Sequence, residues 1–166
     1  MVDVLDLPTS HTDETVLSAV DRFELLRDYV SLLDRLHGLE PEEYPSLEEF
    51  FKLLHDPSEL LVFVVQSGQV VSTAQASLSK TIPVQHVYIN NVVTHDDHEG
   101  CGHGRRVMET LLQAVKVRWG ENGAKKLRVE LTNSPSKENA GFYEKLGFIA
   151  RTKESDNETV VWFKEI

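Results

Sequence analysis

His86 to Gln113, HVYINNVVTHDDHEGCGHGRRVMETLLQ, contains the change of periodicity on which the fold turns. Val87, Ile89, Val92 and Val93 are β-branched and uninterrupted by proline or glycine, which reads as a strand. Alternation fails at Asn90-Asn91, the place for a bulge. After Thr94 a polar loop leads to Gly100, Gly102 and Gly104. From Arg105 onward Val107, Met108, Leu111, Leu112, Val115 and Val117 follow a helical spacing. Strand, glycine-rich loop and helix together make an anion site. Glycine lets backbone approach a ligand, and the first helical turn offers unpaired N–H groups at a positive dipole end. Such a site suits a phosphate or pyrophosphate, with Arg105 and Arg106 adding charge beside it.

The known phosphate loops do not match. No Gly-Lys-Ser/Thr follows, as a nucleoside triphosphate loop requires. The spacing is Gly-x-Gly-x-Gly rather than Gly-x-Gly-x-x-Gly, and the strand lies mid-chain, unlike a dinucleotide fold. Glycines that serve only the turn are the simpler alternative.

Working outward, a short strand is marginal near Val2 to Leu7, and a helical pattern runs from Asp13 to His37, with Gly38 as its stop. Ser46 and Glu49 form a capping box opening a short helix with Phe50, Leu53 and Leu54 on its apolar face. Leu61 to Val65 and Gln69 to Ser77 are strands joined by a Ser67-Gly68 turn. Beyond the loop-helix, which ends near Trp119-Gly120, Leu127, Val129 and Leu131 alternate as another strand. Ser136 to Leu146 is a short helix behind Pro135. Ile149 to Lys153 and Thr159 to Lys164 form a closing hairpin around Asp156-Asn157. With no repeat or linker, residues 1–166 read as a single α+β domain.

The charge is uneven. Residues 1–60 hold 15 acidic and 4 basic residues, the remainder 12 and 13. A net charge of −10 disfavours nucleic acid, whose phosphates need basic patches. No apolar run reaches the length of a membrane span, and the acidic N-terminus is unlike a signal sequence, so a cytoplasmic location is expected. The one cysteine, Cys101, excludes an intrachain disulfide. A homodimer is admitted but not required by anything in the sequence.

Two motifs in order carry a family resemblance. Glu99-Gly100-Cys101-Gly102-His103-Gly104 resembles the acetyl-CoA pyrophosphate loop of the GNAT N-acetyltransferases, Gln/Arg-x-x-Gly-x-Gly/Ala, with Glu99 departing at its first position. Asn139-Ala140-Gly141-Phe142-Tyr143-Glu144-Lys145-Leu146-Gly147-Phe148 resembles the same family's last motif, an Asn followed by (Phe/Leu)-Tyr-x-x-x-Gly-Phe. The resemblance covers roughly residues 58 to 166, and the Asn139 to Tyr143 spacing is similar to the glucosamine-6-phosphate N-acetyltransferase branch. It implies a mixed sheet of about six to seven strands with about four helices, and acetyl-CoA as cofactor. The pantetheine would lie along Val92, Val93 and Thr94, and the pyrophosphate on Glu99 to Arg105. Tyr143 would be the acid that protonates the leaving thiolate, with Asn139 orienting the pantetheine or the helix start. A backbone N–H near Val92 or Val93 would polarise the thioester carbonyl.

The reaction expected from the resemblance is direct attack of a primary amine on acetyl-CoA in a ternary complex. The general base stays open. Many relatives carry an acid on the central strand where this chain has Asn90 and Asn91, leaving His86, Glu130 or a water held by asparagine. His95, His98, Cys101 and His103 offer a rival reading as zinc ligands, but their spacing is irregular and no metal is expected. A catalytically silent acetyl-CoA-binding domain is the non-enzyme alternative. For the acceptor, the resemblance implies that the N-terminal helices and their loop wall its side of the cleft, where Glu40, Glu42, Glu43, Glu48 and Glu49 would favour a small cationic amine. Glucosamine 6-phosphate and a peptide lysine are the alternatives.

Overall fold

The computed structural model describes residues 2–6, 19–80, 85–120, 127–133, 140–152 and 160–166. Seven strands form one mixed sheet: β1 (Val2–Asp6), β2 (Glu59–Gln66), β3 (Gln69–Lys80), β4 (Gln85–Thr94), β5 (Leu127–Asn133), β6 (Ile149–Thr152) and β7 (Val160–Glu165), in the spatial order β1-β2-β3-β4-β5-β7-β6. Only β4 and β5 run parallel, because a helix must carry the chain back between them. Among the described residues, four α-helices accompany the sheet: α1 (Ala19–His37), α2 (Leu47–His55), α3 (His103–Val115) and α4 (Ala140–Lys145). The expected start of the first helix at Asp13 and the Asp156-Asn157 turn lie outside the described residues.

Helix faces decide the layering. In α3, Val107, Met108, Leu111 and Val115 are completely buried against Val62, Val87, Val129 and Leu131. Each such side chain contributes roughly 2 kcal/mol of burial. On the opposite face Leu25, Leu26, Tyr29, Leu32 and Leu33 of α1 pack with Phe50 of α2 onto Leu61, Phe63 and Val70. Strand β2 is therefore apolar on both sides, which explains why its sequence shows no alternation. The box expected at Ser46 is formed. Glu49 N–H donates to Ser46 Oγ at 3.3 Å, and Ser46 N–H donates to the Glu49 carboxylate at 2.8 Å. One departure is local: after α3 the chain makes a π-helical turn over Lys116–Gly120 that seats Trp119 in the core.

Two features of β4 shape the site. Thr73 pairs with Val93 and Gln75 with Asn90, so two steps on β3 face three on β4. The extra residue is Asn91, at a φ of 52°. This is the bulge expected at Asn90-Asn91. Pairing of β4 with β5 also stops at Ile89 and Leu131, although β4 continues to Thr94 and β5 to Asn133. Beyond Ile89 the two strands part.

Candidate active site

The glycine loop is built for close approach. Gly100 and Gly102 sit at φ values of 72° and 84°, a region costly for other residues, and Gly102 is the N-cap of α3. Gly104 is needed for space, since a Cβ there would lie 3.3 Å from Thr94 Oγ1 and 3.7 Å from the Phe142 ring. The first turn of α3 thus abuts the end of β4. Ser72, fully buried, anchors that end: its Oγ donates to the Val93 carbonyl at 3.0 Å and lies 2.9 Å from Thr94 Oγ1.

Against this loop lies a cleft of about 890 Å³. Its walls include Val92, Val93, Thr94, Glu99, Gly100, Gly102, His103, Gly104 and Arg105, with Phe142, Tyr143 and Lys145 from α4 and Arg35 and Leu36 from α1. The amides of the first turn of α3, Arg105 and Lys145 give it the donors and positive charge that a pyrophosphate requires. Glu99 also lines it, and Arg35 is ion-paired with Asp96 at its edge. Cys101 is exposed at the turn, outside the lining side chains. His95, His98 and His103 form an edge-to-face series with ring centroids 5.8 and 6.0 Å apart. Among the described residues no three His, Cys, Asp or Glu side chains are grouped to hold a metal ion.

A second cleft of about 320 Å³ occupies the gap where β4 and β5 part. It shares Leu36, Val92 and Tyr143 with the first and adds His37, Asn90, Asn91, Thr132 and Asn133. A third, of about 540 Å³, lies on the sheet face that carries Tyr88, Glu130, Arg151 and Val161, and shares Ile89, Asn90, Leu131 and Thr132 with the second. Shared walls thus connect the glycine loop, through the gap, to the open side of the sheet.

Tyr143 stands where the first two clefts meet. It is 6% exposed, packed by the rings of Phe142, Phe148 and Trp162 at centroid distances of 5.1, 6.2 and 5.7 Å. Burial pushes its phenol above the ordinary value of about 10. It therefore keeps its proton at neutral pH and can donate it.

The base candidates fare differently. His86 lies five residues before the bulge, about 16 Å along an extended strand. It stacks on Tyr88, with a buried Nδ1 that has no hydrogen-bond partner among the described residues and is 3.9 Å from Glu130 Oε1. Glu130 lines the open-face cleft, beside Tyr88 in register, and not the gap occupied by Tyr143. Asn139 lies outside the described residues. The glutamates expected to wall the acceptor side do not line these clefts; the residues of that region that do are Arg35, Leu36 and His37. Glu43 instead accepts from the Glu40 N–H at 2.8 Å within the Pro41–Glu43 turn.

Sequence reasoning missed a polar chain beneath the bulge. Glu59 Oε2 accepts from Gln75 Nε2 at 2.9 Å and from Ser77 Oγ at 2.8 Å. Gln75 Oε1 accepts from Asn91 Nδ2 at 2.8 Å and from Tyr29 Oη at 3.3 Å. Asn91 Oδ1 then lies 2.9 Å from His37 Nε2. The one available signal was a histidine immediately before the helix-stopping Gly38, together with two asparagines at a strand irregularity.

The sequence profile of the Acetyltransferase (GNAT) family matches residues 23–148. Among solved structures, an acetyltransferase from Trypanosoma brucei superposes with a TM-score of 0.68 at 18% identity, covering 94% of this chain and 98% of its own. Glucosamine-6-phosphate N-acetyltransferase from Arabidopsis thaliana gives 0.67 at 18%, over 94% and 97%. An acyl-CoA N-acyltransferase from Pseudomonas aeruginosa gives 0.63 at 18%, over 99% of both. At such identities the structural likeness speaks for the fold alone. No curated protein matches the sequence.

Proposed function

This chain belongs to the acetyltransferase (GNAT) family of acetyl-CoA-dependent N-acetyltransferases, and we propose that residues 1–166 act as one unit that acetylates a small primary amine by direct attack within a ternary complex. The observation that carries this reading is the position of Tyr143, buried where the glycine-loop cleft meets the gap between β4 and β5. Donor and acceptor reach that point from opposite sides, so neither need leave for the other to enter.

The loop fits the donor. Amides of Cys101 to Arg105 face a pyrophosphate, helped by Arg105 and Lys145, and Val92 to Thr94 run beside the pantetheine arm. Acetyl-CoA supplies an activated acyl carbon. A backbone N–H near Val92 or Val93 polarises the thioester carbonyl. Tyr143, protonated at neutral pH and placed where the two clefts meet, gives its proton to the leaving sulfur. Asn139 keeps its place as an orienting residue on the strength of the motif alone.

The acceptor enters over the open sheet face. Glu130 there attracts an ammonium group, and Arg151, its guanidinium 4.4 Å over the Phe163 ring, favours an anionic substituent elsewhere on the molecule. This pairing supports an amine that also carries a phosphate or carboxylate over a bare polyamine, the class that the acidic N-terminal third favours. The test is a CoA-release screen over polyamines, amino sugars and their phosphates, amino acids, aminoglycosides and lysine peptides. Turnover of glucosamine 6-phosphate or an amino acid supports the reading. Confinement to polyamines would overturn the role of Arg151, and no release with any amine would overturn the whole.

A further inference from the structure

Resting on the acetyl-transfer reading, we infer that His37 is the general base of the reaction, its ring held in one tautomer by a chain of amides that begins at Glu59. A carboxylate only accepts hydrogen bonds, so the Gln75 atom facing Glu59 at 2.9 Å must be the amide nitrogen. Gln75 Oε1 then faces Asn91, whose own nitrogen must donate to it at 2.8 Å. That leaves Asn91 Oδ1, an acceptor, toward His37 at 2.9 Å. His37 Nε2 therefore carries a hydrogen, and in the neutral ring Nδ1 carries the lone pair. Every orientation follows from the one group in the chain that cannot donate.

Its place agrees with this role. His37 is the last residue of α1 and shares the gap between β4 and β5 with Tyr143. The bulge residue Asn91 lines that gap and supplies the hydrogen bond that steers the ring. Titratable groups on the elements that meet there are Asp34 and Arg35 on α1, Tyr29 and Glu59 through the amide chain, and Tyr143 on α4; Arg35 is already paired with Asp96. The step balances as follows. The bound ammonium first releases one proton to solvent; as the freed nitrogen pair forms the C–N bond, a second N–H proton passes to His37 Nδ1. The C–S bond breaks, and the thiolate takes the Tyr143 proton. Imidazolium and phenolate then restore one another through water. Asn91, Gln75 and Glu59 are positioning residues.

Two measurements on the full chain test this. In long-range ¹H–¹⁵N spectra the His37 ring should show a protonated Nε2 and a bare Nδ1 in wild type, and a mixture of tautomers in Glu59→Gln, whose amide can donate as well as accept. In the CoA-release assay, with glucosamine 6-phosphate, spermidine and lysine methyl ester as acceptors, His37→Gln should lower kcat/KM roughly a hundredfold. It should also remove the acid limb of the pH–rate profile, while CoA binding by calorimetry stays unchanged. Glu59→Gln should reduce kcat less and keep that limb. A bare Nε2 in wild type, or a His37→Gln enzyme with its limb intact and its rate within about twofold, overturns the assignment of His37 alone. Wild type inactive on every acceptor overturns both this inference and the acetyl-transfer reading.

Discussion

A methyl group on Gly104 would stand 3.3 Å from Thr94 Oγ1, so the start of α3 and the end of β4 meet with no room for a side chain between them. This contact brings the first-turn amides beside the strand along which the pantetheine is proposed to lie. Gly102 adds a left-handed cap at a φ of 84°. Replacing Gly102 or Gly104 with Val should therefore abolish the rise in melting temperature that CoA gives to wild type. For Gly102→Val the strain is confined to the loop, so the ligand-free protein should stay folded by circular dichroism. Equal CoA stabilisation in both variants would remove the pyrophosphate from this loop.

Tyr143→Phe tests the proton donor. The ring remains packed against Phe148 and Trp162, and only the hydroxyl is lost. A fall in kcat of roughly ten- to a thousandfold is expected, with CoA affinity within about twofold of wild type. Because burial raises the phenol above its usual value, loss of the donated proton should depress kcat only above about pH 10. Unchanged kcat in the variant would mean that water protonates the thiolate, or that release limits turnover.

What the sequence discloses here is local chemistry, and what it conceals is long-range placement. The glycine loop and the Phe142-to-Phe148 part of the second motif were legible because each is contiguous, and its spacing alone brings the residues together. The bulge was legible as a break in alternation at Asn90-Asn91. His37 was not, because helical periodicity tells which face of α1 is buried but not over which strand its end comes to rest, 54 residues away. The acidic wall went astray for a related reason. The resemblance put that acidic segment near the acceptor side, but Glu43 and Glu49 have their carboxylates on the backbone N–H groups of Glu40 and Ser46.

Tyr29 makes stability fall at alkaline pH. Burial between α1 and the sheet raises its phenol to about 12, the nearby Asn91 side chain pulling the other way and the charge of Glu59 adding to the rise. In the unfolded chain the phenol titrates near about 10. The native state thus holds this proton more tightly. Its contribution is fully present below about pH 10 and is lost as pH rises through the folded value, up to roughly 3 kcal/mol in all. Urea unfolding at pH 8 and pH 11 should show wild type losing more stability across that interval than Tyr29→Phe. The variant should start about 1 kcal/mol lower, having lost the hydrogen bond to Gln75. Parallel losses would assign the alkaline transition to other groups.

Arg151 and Glu130 line one cleft on the open sheet face, with opposite charges and Tyr88 for company. Each selects a different part of an acceptor, so their variants should separate substrates rather than weaken all alike. Arg151→Ala should raise KM about tenfold or more for an acceptor carrying phosphate or carboxylate, the scale of one charge-assisted hydrogen bond at a solvent-open site, and should leave spermidine within about twofold. Added salt should blunt the difference, since the guanidinium is exposed and screened over about 10 Å at 0.1 M. Glu130→Gln should raise KM for both classes through the ammonium they share and leave CoA binding unchanged, because Glu130 does not line the glycine-loop cleft. Steady-state kinetics on glucosamine 6-phosphate, glucosamine and spermidine decide the matter. If Arg151→Ala affects glucosamine and its phosphate equally, the guanidinium serves only to pack against Phe163, and the acceptor's anion must be met elsewhere.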